Sequence, residues 1–223
     1  MKSNVELQTD VQNALKWEPM LHAAEIGVTA KDGVVSLNGQ VDSYVKKTQA
    51  EHAAKSVVGV RAIIENIDVN IPNQWTKTDS EIANAVLTGF EYNWSIPNDK
   101  IAIKVENGYV TLEGELMWNY QREAAVNLVK NLTGVKGVRN KILIRSEIHN
   151  AIEKAEIEKA IKRNWLIDGS DVSVSVDGTT VTLYGRVNSF SQKDEAGRVA
   201  WNTPGIWQVK NEIKVEHDFT YSL

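Results

Sequence analysis

The sequence contains no cysteine, only four prolines and no long run of apolar residues. Without cysteine, the chain forms no disulfide and offers no thiolate as a nucleophile or metal ligand. A membrane-spanning helix needs about 18 or more apolar residues in succession, and no segment approaches that length. The first residues, MKSNVELQTDVQNAL, lack the apolar core of a secretory signal. We therefore expect a cytoplasmic protein without a transmembrane segment, periplasmic only if a signal has been removed ahead of residue 1.

Positive charge and the usual signs of catalysis are also scarce. The chain has 25 Lys and Arg against 29 Asp and Glu, a net charge of −4, so it lacks the basic footprint of a nucleic-acid-binding protein. Its four histidines are scattered and lack the spacing of a zinc site. No nucleophile elbow or phosphate-binding loop occurs. We predict no nucleic-acid partner, no metal site, no cofactor and no enzymatic activity.

The sequence does contain one motif in three copies, TAKDGVVSLNGQV, VENGYVTLEGEL and SVDGTTVTLYGRV. Each copy of the motif contains a glycine near its end, here called the closing glycine. Another glycine follows the closing glycine at the same interval in all three copies. The closing glycines are Gly39, Gly114 and Gly185, and the later glycines are Gly59, Gly134 and Gly205. Matching chemistry at fixed intervals is the signature of an internal repeat. The chain is therefore predicted to consist of three similar units.

The unit boundaries follow from the repeat and from the composition of the segments between copies of the motif. The segment NIPNQWTKTDS, with its proline and polar residues, is typical of a short linker. We predict units over residues 1–71, 78–145 and 146–218, a linker over 72–77 and a tail over 219–223. Glycine and proline are both absent from Ile144 to Trp165. We therefore expect a helix that runs directly into the third unit and couples it rigidly to the second.

Each copy of the motif predicts a β-hairpin, because apolar and polar residues alternate on both sides of a turn. Asp32-Gly33 and Asn107-Gly108 are strong hairpin signals, since both central turn residues need a positive φ. The third unit has one extra residue after Gly178, which indicates a longer turn or a bulge. The closing glycine is expected to end the second strand, where the chain leaves the sheet or another backbone passes close.

A helix and a third strand are predicted after each hairpin. Apolar residues at four matching positions past each closing glycine lie on one helical stripe, as Ala50, Ala53, Ala54 and Val57 do in the first unit. Ser43 and Ser189 are expected N-caps, the latter with Gln192 in a capping box, and the later glycines end these helices. The predicted third strands are AIIENIDVNI, GVRNKILI and WQVKNEIKV.

An amphipathic helix also precedes each hairpin, over Thr9–Trp17, Thr78–Tyr92 and Ile148–Trp165. The predicted fold class is therefore α+β, with three tandem α-β-β-α-β units. Because only one sheet face is apolar, both helices of a unit should cover the same face of a three-stranded sheet. Whether the third strand pairs with the first or the second is left open by the sequence.

The pattern V-x-x-G-x-V-x-L-x-G-x-V, followed at a fixed interval by G-V and a β-branched strand, resembles the BON domain of bacterial proteins. The resemblance covers nearly the whole chain in three copies, and the second unit shows it most fully. The third unit departs from it with an extra turn residue and PGIWQV in place of G-V. This resemblance implies a non-catalytic module that binds phospholipid or a membrane interface and is linked to osmotic or envelope stress. One relative that joins a BON domain to a LysM module binds potassium.

Tryptophan is the one aromatic in excess, with seven residues. Trp17, Trp94 and Trp165 each close a first helix and are predicted to cap the cores. Trp118 stands where the other units have serine, so an aromatic there indicates partner contact or packing between units. Trp207 stands where the other units have Arg61 and Lys136 and is expected to face water. Trp75 lies in the linker.

Two functional hypotheses follow. In the first, the chain binds phospholipid headgroups or a membrane interface through aromatic and basic residues. The candidate binding residues are Trp118, Tyr120, Arg122, Lys130 and Trp207. In the second, the chain is a cytoplasmic stress-linked scaffold or a potassium-responsive protein, whose partner is a protein or an ion held by backbone carbonyls. The oligomeric state is left open.

Overall fold

The computed structural model describes residues 2–21, 26–146, 154–164, 167 and 172–216. Three α-β-β-α-β units follow one another, which confirms the predicted fold class. The first unit comprises α1 (Asn4–Lys16), β1 (Ile26–Lys31), β2 (Val34–Val41), α2 (Tyr44–Ser56) and β3 (Ala62–Val69). The second comprises α3 (Asp79–Glu91), β4 (Ile101–Glu106), β5 (Tyr109–Leu116), α4 (Asn119–Lys130) and β6 (Gly137–Ile144). The third comprises α5 (Lys154–Arg163), β7 (Val172–Asp177), β8 (Thr180–Val187), α6 (Phe190–Trp201), β9 (Gln208–Asn211) and β10 (Lys214–Val215).

Each sheet places its second strand in the centre. The first two strands form the predicted antiparallel hairpin, and the third strand pairs in parallel with the second. This parallel pairing answers the question that the sequence left open. In the third unit the last strand is interrupted at Glu212 and Ile213, so that β9 and β10 both lie beside β8.

The two helices of a unit cover one face of its sheet. Along β2, Val35 and Leu37 are fully buried, whereas Ser36 and Asn38 alternate with them towards the other face. The same alternation occurs in β8, where Val181 and Leu183 are buried. Each such side chain contributes about 1.5–3 kcal/mol through burial of its apolar surface. Each unit therefore has its own hydrophobic core.

The hairpin turns have the predicted geometry, and a contact that the sequence analysis missed fastens them. Asp32 and Asn107 adopt positive φ values of 51° and 53°. The Asp79 carboxylate, at the start of α3, accepts hydrogen bonds of 2.8 Å from the N–H groups of Asn107 and Gly108. Asn4, in the equivalent position of α1, accepts one of 2.8 Å from the N–H of Asp32. The first helix thus holds the hairpin turn of its own unit.

The closing glycines lie inside the second strands, so the prediction that they end these strands is wrong. Strand β5 continues past Gly114 to Leu116. The other half of the prediction, a close approach of another backbone, is confirmed at Gly114, where a Cβ would lie 2.1 Å from the carbonyl oxygen of Lys100. Gly114 also has a φ of +152°. Glycine is needed here because the backbone of Lys100, directly before β4, leaves no room for a side chain.

One helix start and one N-cap interaction differ from the predictions. Helix α1 begins at Asn4 rather than Thr9, because Ser3 and Glu6 form a complete capping box. Ser43 is the N-cap residue of α2 as predicted, but its side chain accepts no cap hydrogen bond, and its hydroxyl donates to Asp42.

The predicted start of α3 at Thr78 is confirmed, since Thr78 is its N-cap. Two further predictions about helix starts are met only in part. Ser189 accepts from the N–H of Gln192 as predicted, but the Gln192 side chain bonds to the N–H of Asn188, so the capping box is incomplete. The predicted helix from Ile144 is wrong at its start, because β6 extends to Ile144 and Arg145 and Ser146 are not helical. Residues 147–153 of that segment lie outside the described residues.

The second helices of the three units contact one another at their ends, with the start of each helix against the end of the second helix of another unit. The start of α2 lies against the end of α4, with Tyr44 packed on the core of the second unit. The start of α6 lies against the end of α2, with Phe190 packed on the core of the first unit. The start of α4 lies against the end of α6, where Arg122 covers Trp201. Each unit thus contacts the next through the same two helix ends, and the three contacts close a ring.

This closed ring relates the units by an approximate threefold rotation. Tyr44 and Phe190 occupy the same repeat position, just past their closing glycines, and both enter a neighbouring core. Asn119 occupies this position in the second unit and is buried. Head-to-tail contacts of this kind form closed rings when the rotation between copies is suitable. The chain is a ring of three units within one polypeptide.

Candidate functional site

The five predicted binding residues lie at three separate places. Trp118 and Tyr120 lie together at the start of α4, with ring centroids 6.5 Å apart and an angle of 29° between the planes. Tyr120 is exposed, and Trp118 is partly buried. The N–H of Trp118 donates to Gln121 Oε1 at 3.1 Å, so the helix start is supported from Gln121 and not by the indole. This pair forms a small aromatic surface.

Arg122 and Trp207 both lie at the junction of the second and third units. The Arg122 guanidinium lies 4.4 Å from the ring centroid of Trp201, and burial lowers the pKa of Arg122. Trp207 Nε1 donates to the carbonyl oxygen of Ser146 at 2.9 Å, and the Arg145 guanidinium lies 4.9 Å from the Trp207 ring centroid. The contacts of Arg122 with Trp201 and of Arg145 with Trp207 hold the two units together.

The predicted equivalence of Trp207 with Arg61 and Lys136 is confirmed by the backbone. The N–H of Trp207 donates to the carbonyl of Thr179 at 2.9 Å. The N–H groups of Arg61 and Lys136 donate to the turn glycines Gly33 and Gly108 at 2.7 and 2.8 Å. Trp207 is 36% exposed, so its ring is partly in water and partly covered by Arg145 of the second unit.

Lys130 lies at the opposite end of α4 from Trp118 and lines a cavity between the first and second units. The structure therefore brings Trp118 and Tyr120 together, brings Arg122 and Trp207 to one junction, and leaves Lys130 at another. The binding role of these five residues stays a prediction.

The most exposed aromatic residues are ones that the sequence analysis assigned to the cores. Trp17 and Trp94 are 85% and 92% exposed, so the prediction that they cap the cores is wrong. Leu15, two residues before Trp17, fills the core instead and is 1% exposed. Two helical residues represent roughly 200° of rotation, so Trp17 points away from the side that Leu15 buries. Trp165 lies outside the described residues.

These exposed aromatics recur at equivalent positions. Trp17 and Tyr92 precede Gly39 and Gly114 by the same interval, and each is the C-cap of a first helix. Tyr92 is 84% exposed. Met20 is also exposed close to Trp17 in the chain, which adds apolar surface there.

Charged groups with shifted pKa values serve structural contacts. A hydrogen bond from Arg198 lowers the pKa of Glu195, and the two side chains are 2.6 Å apart. The backbone N–H of Thr78 lowers the pKa of Glu81 within the α3 capping box. In the parts of the chain that the structure describes, no three His, Asp or Glu side chains gather where they could hold a metal ion. The helices described are all too short or too polar to cross a membrane.

The fold and these surfaces define a class of protein built from a repeated small α+β binding module. The chain belongs to the BON domain family, since the family profile matches residues 3–71, 78–146 and 150–217. The match in three copies confirms the resemblance inferred from the glycine pattern.

Two comparisons with individual proteins add detail. The chain is 27% identical over 146 residues to osmotically-inducible protein Y of Escherichia coli (strain K12), an alignment that covers 62% of this chain and 73% of that protein. It also matches the C-terminal domain of CdsD, a structural protein of the type III secretion system of Chlamydia trachomatis. That match covers 97% of this chain and 100% of the CdsD domain, with 16% identity and a TM-score of 0.26. At this TM-score the match to CdsD carries no argument.

Proposed function

We propose that the protein is a non-catalytic binding module that attaches to phospholipid membrane interfaces under osmotic stress. The observation that carries the proposal is the exposure of Trp17, Tyr92 and Trp94, at 85%, 84% and 92%. Tryptophan and tyrosine rings favour the headgroup level of a bilayer, because one edge is apolar and the other is polar. Membership of the BON family and the similarity to osmotically-inducible protein Y support the link to osmotic stress.

In this proposal, attachment depends on aromatic burial rather than on charge. The net charge of −4 does not attract anionic lipid, so the chain should bind zwitterionic membranes as well as anionic ones. Trp118 and Tyr120 are proposed to add a second aromatic contact. The proposal holds for a cytoplasmic or a periplasmic membrane surface. The scaffold and potassium alternatives stay predictions.

Co-sedimentation with vesicles tests this function. The vesicles are phosphatidylcholine alone and phosphatidylcholine with phosphatidylglycerol, and the variant is the double substitution Trp17→Ala, Trp94→Ala. Because each ring loses its burial in the interface, we expect the double variant to bind roughly tenfold more weakly, a difference of about 1.4 kcal/mol. Both side chains are exposed, so the melting temperature should stay close to that of the parent.

Tyr109→Ser is the matched control, because Tyr109 is also exposed but follows the hairpin turn at the start of α3, whereas Tyr92 lies at the opposite end of that helix. This variant should bind vesicles as the parent does. Absence of parent binding to both vesicle types at low salt would contradict the proposal. Equal binding by the parent and the double variant would show that these tryptophans do not form the contact.

A further inference from the structure

One position in the repeat always lies at a junction between units. It follows the closing glycine at the same interval in each unit and is occupied by Lys55, Lys130 and Trp201. In every unit this position belongs to the last turn of the second helix. Because the three junctions are equivalent, the surroundings of these residues can be compared directly.

At two junctions the neighbouring unit supplies a partner. Lys55 Nζ lies 3.5 Å from Asp194 Oδ2 of the third unit and 3.0 Å from Glu51 Oε1 of its own helix. Although burial opposes it, contact with Glu51 and Asp194 raises the pKa of Lys55. Trp201 lies under the guanidinium of Arg122, which belongs to the second unit.

At the third junction, between the first and second units, Lys130 lines a cavity of about 330 Å³. Among the described residues, no carboxylate lies within ion-pair distance of Lys130. The other charged residues of the lining are Asp42 and Lys46, which pair with each other at 2.6 Å. The lining therefore has one net positive charge, at Lys130.

The remaining wall of this cavity is mostly apolar. Ile71, Leu132 and Val135 contribute aliphatic surface, and Trp75 of the linker adds an aromatic ring that is 46% exposed. The cavity is at the small end of the size range of pockets that hold small molecules, which begins at about 300 Å³. Such pockets combine apolar walls with a few polar groups that orient the ligand.

We propose that this cavity is a binding site for a small organic carboxylate. The carboxylate pairs with Lys130, as the Asp194 carboxylate pairs with the equivalent Lys55 at the neighbouring junction. The apolar body of the ligand lies against Trp75, Ile71 and Leu132. An inorganic anion would leave these walls without a partner, and a neutral molecule would leave the lysine unpaired in a half-enclosed apolar site. This site is separate from the proposed membrane contact and does not depend on it.

A titration followed by nitrogen–proton NMR tests the site with hexanoate as the probe. Hexanamide has the same chain without the charge and serves as the neutral comparison. We expect saturable shifts of the Trp75 indole N–H with hexanoate, and at least tenfold weaker binding of hexanamide. The site is disproved if hexanoate in the tens of millimolar range produces no saturable shift, or if both probes bind equally.

Two lysine variants test whether Lys130 supplies the positive charge that pairs with the carboxylate of hexanoate. Lys130→Met keeps the aliphatic stem and removes the cation, so it should weaken hexanoate binding at least tenfold. Lys55→Met makes the same change at the equivalent junction and should leave hexanoate binding unchanged. If Lys130→Met binds as the parent does, or if Lys55→Met weakens binding to the same extent, the proposal is overturned. A thermal melt checks that each variant is folded. If a variant is unfolded, the comparison of hexanoate with hexanamide on the parent chain tests the proposal instead.

Discussion

At the scale of single residues, backbone geometry requires glycine at the closing position of the second unit. Gly114 lies within β5, and any side chain there would collide with the carbonyl oxygen of Lys100. The obstacle is backbone rather than a flexible side chain, so it cannot move without displacing β4. Gly27, by contrast, lies in β1 with its nearest neighbour at an ordinary 3.5 Å from a Cβ.

Gly114→Ala should therefore be far more destabilising than Gly27→Ala. We expect Gly114→Ala to lower the free energy of unfolding by about 3 kcal/mol or more, because a steric clash adds to an unfavourable φ. Gly27→Ala should change it by less than about 1 kcal/mol. Urea unfolding of both variants measures the difference. Similar values for the two would show that the close approach of Lys100 is unimportant.

At the scale of helices and strands, periodicity predicted most of what the structure contains. Hairpins, second helices and third strands lie where alternation, helical stripes and glycines placed them. These signals are local, which is why they succeed without knowledge of the partner element. The first turn of α1 was missed although Ser3 and Glu6 have capping-box spacing.

Other features of the site could not be read from local patterns. Trp17 and Leu15 are both large and apolar, and only the orientation of α1 on the sheet decides which one is buried. The contacts of Arg122 and Trp207 depend on how the units dock, which no periodicity encodes. The cavity at Lys130 is formed by residues of two units and the linker, so no local pattern encodes it.

The start of α6 offers a test of contact between units. Phe190 belongs to the third unit but packs on the core of the first. We expect Phe190→Ala to lower the free energy of unfolding by about 2 kcal/mol, because it leaves a gap in that core. NMR shifts should change at Ala50 and Ala53 of α2, which belong to this core.

Tyr184→Ala is the control for this test. Tyr184 belongs to the same unit but is exposed on β8, so its loss should change the stability by no more than about 0.5 kcal/mol. If Phe190→Ala costs as little as the control and perturbs the third unit alone, the first and third units do not meet as described.

At the scale of the whole molecule, the three units form a closed ring through equivalent ends of α2, α4 and α6. Closure gives each unit two neighbours, although the linker at 72–77 joins only the first two along the chain. Units of about 70 residues bury little surface, so mutual packing stabilises them.

Nitrogen-15 relaxation of the full chain tests the closed ring most directly, because it reports how fast each unit rotates in solution. The ring predicts that amides in all three units share one rotational correlation time, that of a single 223-residue body. Shorter and different correlation times for the three units would show that they tumble independently and would contradict the ring.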